Sequence, residues 1–204
     1  MNHRLAALLL LLLVSTTGCL HMRQEITILD DGRGRFRIEA SLPADAYRRL
    51  LELDASSRAA RFFDPEAGRT LFPAAAGFKL MKYRTFGHEH AGGARQHVRI
   101  SGELTNVKKA LASGVLGDFV LDRADDDRLR LRLRWADARP PADAPGLAAG
   151  LADLKLHLAI TVPGRVVATE GGERDGRRVQ WTFDAQKDPG FITAPPAVGV
   201  TWKE

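Results

Sequence analysis

The chain has 204 residues, with 30 Lys and Arg against 25 Asp and Glu, six His and a single Cys, giving a formal net charge of +5. That length suits one domain with a core large enough to stand without staples, and one cysteine excludes an internal disulfide framework. The positive excess is far too small to argue for a nucleic-acid partner, and favours anionic lipid or polysaccharide neighbours only slightly.

The chain opens on a short start containing Arg4. Residues 5–14 are Leu, Ala and Val alone, and Ser15, Thr16, Thr17, Gly18 and Cys19 follow. A basic start, an apolar core and a small-residue cleavage site make a secretory signal. Spanning a bilayer takes about 20 apolar residues, so this run is too short for a permanent membrane helix. The segment resembles the lipobox of bacterial lipoproteins, with Thr16 where a leucine is usual. The resemblance implies a lipoprotein signal peptide over residues 1–18, diacylglycerol on the Cys19 sulfur, cleavage after Gly18 and palmitate on the new amino terminus. An Asp after the cysteine commonly marks inner-membrane retention. Leu20 in that place implies an outer-membrane protein facing the periplasm. The alternative is an ordinary secretory signal with an incidental cysteine.

Residues 22–29 alternate Met22, Gln24, Ile26 and Ile28 against Arg23, Glu25 and Thr27, as a strand does. Asp30, Asp31 and Gly32 make a turn. Residues 35–42 place Phe36, Ile38, Ala40 and Leu42 on one face, closing a hairpin. Pro43 precedes a helix with Tyr47, Leu50, Leu51 and Leu53 along its apolar stripe, reaching about Asp54. Residues 56–63 read as a second helical piece, broken by Asp64-Pro65 and Gly68. Phe62, Phe63, Leu71 and Phe72 are candidates to plug one end of the core.

Residues 78–104 read as a long hairpin turned at Gly92-Gly93, which sets His88 opposite His97. Met81, Tyr83, Val98, Ile100 and Leu104 then share the apolar face. Asn106 is a candidate N-cap for a short helix to Ala112. Residues 115–121 and 129–135 form the next hairpin around Asp125, Asp126 and Asp127. Residues 140–145 read as a loop and 146–153 as a helical turn. Strands over 154–162, 166–169 and 178–183 complete a meander. Residues 185–204 are Pro- and Gly-rich and read as a C-terminal coil over the domain.

Many period-two alternations with few helical stretches predict an α+β fold. The expected form is a twisted antiparallel β-sheet built from hairpins and a meander, with two or three short helices packed on one face. A single domain over residues 19–184, anchored through Cys19, is expected.

One stretch carries a family signature. It runs from Leu156 and His157 through Pro163, Gly164, Arg165 and Val166 to Glu170-Gly171-Gly172, Asp175-Gly176 and Val179-Gln180-Trp181-Thr182-Phe183. With Lys82-Tyr83, Val98-Arg99-Ile100-Ser101 and the helix near Asn106, it resembles the LppM-like lipoprotein domain over residues 22 to about 184. The resemblance implies an exported, membrane-associated domain of one antiparallel sheet plus helices, in contact with lipid or glycolipid. It carries over no catalytic residue. Some relatives have a membrane helix after the domain, whereas this sequence closes on Trp202, Lys203 and Glu204, leaving the lipid as the expected anchor. Pro163 and Gly164 are expected to set a tight corner, with positive φ at the glycine, and Trp181 to be buried.

Two polar arrangements stand out. Arg128, Arg130, Arg132 and Arg134 alternate with Leu129, Leu131, Leu133 and Trp135. The guanidinium groups form a ladder with steps of about 6.6 Å, and such forks suit phosphate or carboxylate. The ladder is the candidate anionic-ligand site, unless Asp118 and Asp122 on the neighbouring strand neutralise it. His88, His90 and His97 are weak candidates for a metal, among cations that disfavour one. No nucleophile elbow, Walker loop or metalloprotease helix is present. The expected function is a non-enzymatic, lipid-anchored envelope module without a cofactor. Its partners would be the membrane and a lipid, glycolipid or envelope protein. The alternative is a metal-binding or hydrolytic protein built on the histidine hairpin.

Overall fold

The computed structural model describes residues 20–90, 93–125, 127–134 and 153–203. The leader, Cys19, Trp135, the 140–145 loop and most of the 146–153 turn lie outside them. The elements in chain order are β1 (His21–Ile28), β2 (Gly34–Pro43), α1 (Ala44–Asp54), α2 (Arg58–Phe62), β3 (Phe78–His90), β4 (Gly93–Leu104) and α3 (Val107–Ala112). Then come β5 (Phe119–Asp125), β6 (Arg128–Leu133), β7 (Lys155–Thr161), β8 (Arg165–Glu170), β9 (Glu173–Asp175), β10 (Arg178–Asp184), α4 (Gly190–Thr193) and β11 (Val198–Lys203).

The fold is α+β, and its strands divide between two sheets. One has seven strands in the order β3-β4-β2-β1-β7-β10-β9, and the other four in the order β5-β6-β11-β8. The alternation in the sequence identifies strands but cannot say which sheet each joins. The pairings are antiparallel except β1 with β7, which run parallel with Arg23 opposite His157. That pair joins segments distant in sequence.

Both sheets contribute to one continuous core. Ile26, Ile38, Ile160, Val179 and Trp181 come from the larger sheet, and Leu131, Val200 and Trp202 from the smaller. Phe36, Phe72 and Phe78 pack as a stacked and edge-on aromatic triad with centroids 5.4–5.5 Å apart. Of the four residues expected to plug one end of the core, Phe72 joins this triad and Phe63 is buried, while Phe62 and Leu71 pack partly buried against the core. Buried Gln24 is satisfied across the core, its side-chain amide donating to the Leu116 carbonyl at 2.7 Å. The Asn106 side chain caps α3 by accepting from the Lys109 amide at 2.9 Å.

Four expectations are corrected. Residues 185–204 are not all coil. Residues 198–203 form β11, an interior strand whose Trp202 is fully buried. Pro195 and Pro196 just before it and Gly199 within it mask its period-two pattern. The β3–β4 register pairs His90 with Gly93, so His88 faces Arg95 while His97 faces Phe86. The strand register is therefore shifted from the one that a Gly92-Gly93 turn would set. Met81 does not join the apolar face. The ladder skips it between Leu80 and Lys82, and this bulge turns its side chain to solvent, 64% exposed. Gly164 does not have positive φ. A glycine is needed there because a Cβ would stand only 1.7 Å from the Lys203 carbonyl oxygen.

Candidate binding faces

The arginine ladder lies on the outward face of β6, beside the aspartates of β5. Arg130 grips Asp122 with both arms of its fork, Nε to Oδ1 at 3.1 Å and Nη2 to Oδ2 at 3.2 Å. Arg132 reaches the same carboxylate through Nη2 at 3.0 Å. Arg134 pairs with Asp118 at 3.2 Å, and Arg128 stands 3.4 Å from Asp125 and 3.6 Å from Asp127. The Arg130 and Arg132 hydrogen bonds hold the Asp122 carboxyl below its ordinary pKa against the opposing effect of desolvation. Each rung is thus committed to an intramolecular carboxylate. A ligand anion would have to compete with a bidentate pair already in place.

The histidine hairpin is arranged by stacking. The Phe86 and His97 rings lie 5.0 Å apart and 5° from parallel, with the Arg99 guanidinium 5.3 Å over the Phe86 face. The rings of His88 and His97 meet edge to face at 6.3 Å. Among the described residues no three His, Cys, Asp or Glu side chains group to hold a metal ion. The His90 side chain lies outside that description.

The apolar side of the sheet, which on its alternation alone could be either a core or a lipid-sized cleft beneath the helix around Leu50, is largely sealed. Phe36, Ile38, Tyr83, Ile100, Leu131 and Trp181 are each no more than 4% exposed, and Leu133, the seventh of the expected set, is partly buried against them. The Tyr83 hydroxyl donates to the Phe62 carbonyl at 2.5 Å, and burial raises its pKa.

A different surface gathers three cations and three imidazoles, with Arg23 paired to Glu25, Arg99 to Glu39 and Lys155 to Asp184. On the polar face of the seven-stranded sheet, a groove of about 410 Å³ crosses β4, β2, β1, β7 and β10. Its lining includes His21 and Arg23 from β1, His97 and Arg99 from β4, Lys155 and His157 from β7, and Glu39 from β2. The His157 ring meets the Thr182 hydroxyl through Nδ1 at 3.2 Å, while its Nε2 is buried without a hydrogen-bond partner. Burial first, then Arg23 and Arg178, holds the His157 pKa below the ordinary imidazole value, with Glu25 opposing. His21 is lowered likewise by burial, Arg95 and Lys155, against Asp153 and Asp184.

Of the groove's histidines, the sequence reading singled out only His97. His21 and His157 lie far apart in sequence, and the parallel pairing of β1 with β7 brings them together. The one local signal was alternation in β7, where Lys155 and His157 fall on the face opposite Leu156 and Leu158.

No protein-family model and no curated protein matches the chain. Among solved structures it is similar to the folded domain of the Mycobacterium tuberculosis LppM protein, determined by NMR. The two share 12% identity over 90% of this chain and 89% of that one, with a TM-score of 0.43. This is the domain that the Pro163-Gly164 and Trp181 segments resemble. At that level of superposition it transfers no residue role.

Proposed function

We propose that this chain is a lipid-anchored lipoprotein of the cell envelope whose body is a non-enzymatic binding or assembly module. The observation that carries the reading is the leader: a basic start, ten apolar residues and a small-residue site ending at Cys19. The structure adds a mechanical reason for such an anchor to matter. β1 begins at His21 and is paired on both sides, and the Lys155 amide donates to the Leu20 carbonyl at 2.9 Å. Rigid backbone therefore starts one residue after the cysteine, so a lipid there would hold the sheet against the bilayer with almost no tether. Two or more acyl chains make such anchoring stable, at about 0.8 kcal/mol per buried CH₂.

Leu20 supports an outer-membrane, periplasm-facing location through the lipoprotein sorting pattern. The polar surfaces support binding rather than turnover, since their charges are arranged as ion pairs and no nucleophile motif occurs in the sequence. A lipid, a glycolipid or another envelope protein is the class of partner such a surface suits. The test is incorporation of radiolabelled palmitate in the native host. Wild type is expected to label and sediment with membranes, and Cys19→Ala to do neither. Equal labelling of both would overturn the anchor.

A further inference from the structure

We propose that the groove across β4, β2, β1, β7 and β10 binds the headgroup phosphate of an anionic lipid in the membrane to which the chain is anchored. The proposal rests on the anchor reading for the identity of that membrane. The groove's chemistry stands on its own.

Position comes first. His21 lines the groove and is two residues from Cys19. Consecutive Cα atoms are about 3.8 Å apart, so the lipidated residue must lie within about 8 Å of the His21 backbone. The ladder begins at Arg128, in the other sheet.

Charge comes second. Arg23, Arg99 and Lys155 line the groove together with three imidazoles, against a single lining carboxylate, Glu39. That carboxylate is shared between Arg37 at 2.7 Å and Arg99 at 3.6 Å. Lys155 has only a loose contact, 3.6 Å from Asp184, and Arg23 pairs with Glu25 while remaining half exposed. The ladder arginines are likewise answered by Asp118, Asp122, Asp125 and Asp127; the groove differs in the three imidazoles that stand beside its cations and in its looser 3.6 Å pairs at Arg99 and Lys155.

An unmet hydrogen-bonding atom comes third. His157 Nε2 is buried in the protein and has no partner. A buried polar atom of this kind is costly unless a ligand or water satisfies it. Burial first, and then Arg95 and Lys155 at His21 and Arg23 and Arg178 at His157, lower the two imidazole pKa values, and those neighbouring cations are charges that an anion would meet. Arginine and lysine on a concave polar sheet, flanked by imidazole and the Thr182 hydroxyl, suit a phosphate diester with one charge and several acceptor oxygens. The volume of about 410 Å³ falls within the usual range for small-ligand sites.

The test uses the chain from Leu20 onward, which holds every described element, without its lipid. Binding is measured by sedimentation with vesicles of phosphatidylcholine alone and with about one-fifth phosphatidylglycerol. Binding to the anionic vesicles only is expected. It should weaken about ten-fold or more in Arg23→Gln, Lys155→Gln, and stay within about two-fold of wild type in Arg130→Gln, Arg132→Gln. Arg99→Gln, at an exposed side chain, is the second groove variant should the first fold poorly. Imidazole NMR signals of His21 and His157 should move with the anionic vesicles. Unchanged binding in both groove variants, equal binding to neutral vesicles, no binding at all, or a loss confined to the ladder variant would overturn the proposal. So would saturation of the His157 signal by inorganic phosphate with no preference for anionic vesicles, which would assign the groove to a soluble anion. Failure of palmitate labelling, with vesicle binding intact, would remove the anchor and leave the groove.

Discussion

The indole N–H of Trp181 donates to the backbone carbonyl of Glu170 at 3.0 Å. Trp181 belongs to β10 of the seven-stranded sheet and Glu170 ends β8 of the four-stranded one, so this bond ties the two sheets at the turn where the chain passes between them. Gly172 lies against the same ring. It has φ +77°, and a Cβ there would come within 2.7 Å of the indole. The Gly-Gly turn is therefore shaped to receive the tryptophan edge. Gly172→Ala is expected to cost about 2 kcal/mol or more, from positive φ and overlap together. Trp181→Phe keeps most of the burial but loses the donor, for about 1–2 kcal/mol. Urea unfolding midpoints check both. A Gly172→Ala midpoint equal to wild type would disprove the seat.

Deleting residues 198–204 should abolish cooperative unfolding rather than trim a loose end. β11 supplies both neighbours of the smaller sheet's interior, pairing with β6 and β8, and Val198, Val200 and Trp202 are no more than 1% exposed. Truncating one buried Trp costs about 3–5 kcal/mol, a large part of a domain's total stability. Circular dichroism and thermal melting of the truncated chain decide the point. A sharp transition near that of wild type would contradict it.

Asp122 gives the ladder an acid-sensitive contribution. Its pKa is depressed in the fold, chiefly by the Arg130 hydrogen bond, from an ordinary value of 3.8. A depressed carboxyl stabilises the fold above its unfolded pKa, and that stability is lost as the pH falls through the folded value. The partners are about one-third exposed, so solvent screening limits the effect to about 1 kcal/mol or less. Asp122→Asn is expected to be less stable than wild type at neutral pH, with the gap closing below about pH 3. Chemical denaturation across pH 2–7 reads it. A constant gap would show that the loss is steric and not electrostatic.

Met81 and Tyr83, two residues apart, should respond oppositely to polar substitution or loss of a polar group. Met81→Gln at the exposed bulge is expected to change stability by no more than about 0.5 kcal/mol. Tyr83→Phe strands the Phe62 carbonyl in a region that is 4% exposed at Tyr83, and is expected to cost about 1–2 kcal/mol. Thermal melts of the two variants distinguish a bulge from an uninterrupted ladder.

Much of the local structure was legible because burial imposes a period. Ile26, Ile28, Phe36 and Ile38 announce β1 and β2, and Asn106 announces α3. What alternation cannot carry is the identity of a distant neighbour. Leu131 and Trp202 belong to the smaller sheet, while Trp181 and Ile160, with the same pattern, belong to the larger. Pairing of β1 with β7 is likewise absent from any window of sequence, and with it the meeting of Arg23 and His157. Bulges are equally silent. Met81 has the spacing of a core residue and loses its place to one skipped pairing. The ladder was readable as a pattern and its aspartates as neighbours. The bidentate grip on Asp122 depends on a register that the turn at Asp125–127 sets.

β1 cannot complete its hydrogen bonding until residues 155–161 are present, although it is the first element made. Pairings between ends of a chain slow folding, because the loop between them must close first. Were the chain exported amino terminus first, as proposed, this ordering would be protective. The larger sheet would stay open at its centre until β7 is present, and β11, the last described element, would close the smaller sheet last. Under the export proposed above, the topology would defer the folded state to the far side of the translocation pore, with the proposed anchor next to the first strand.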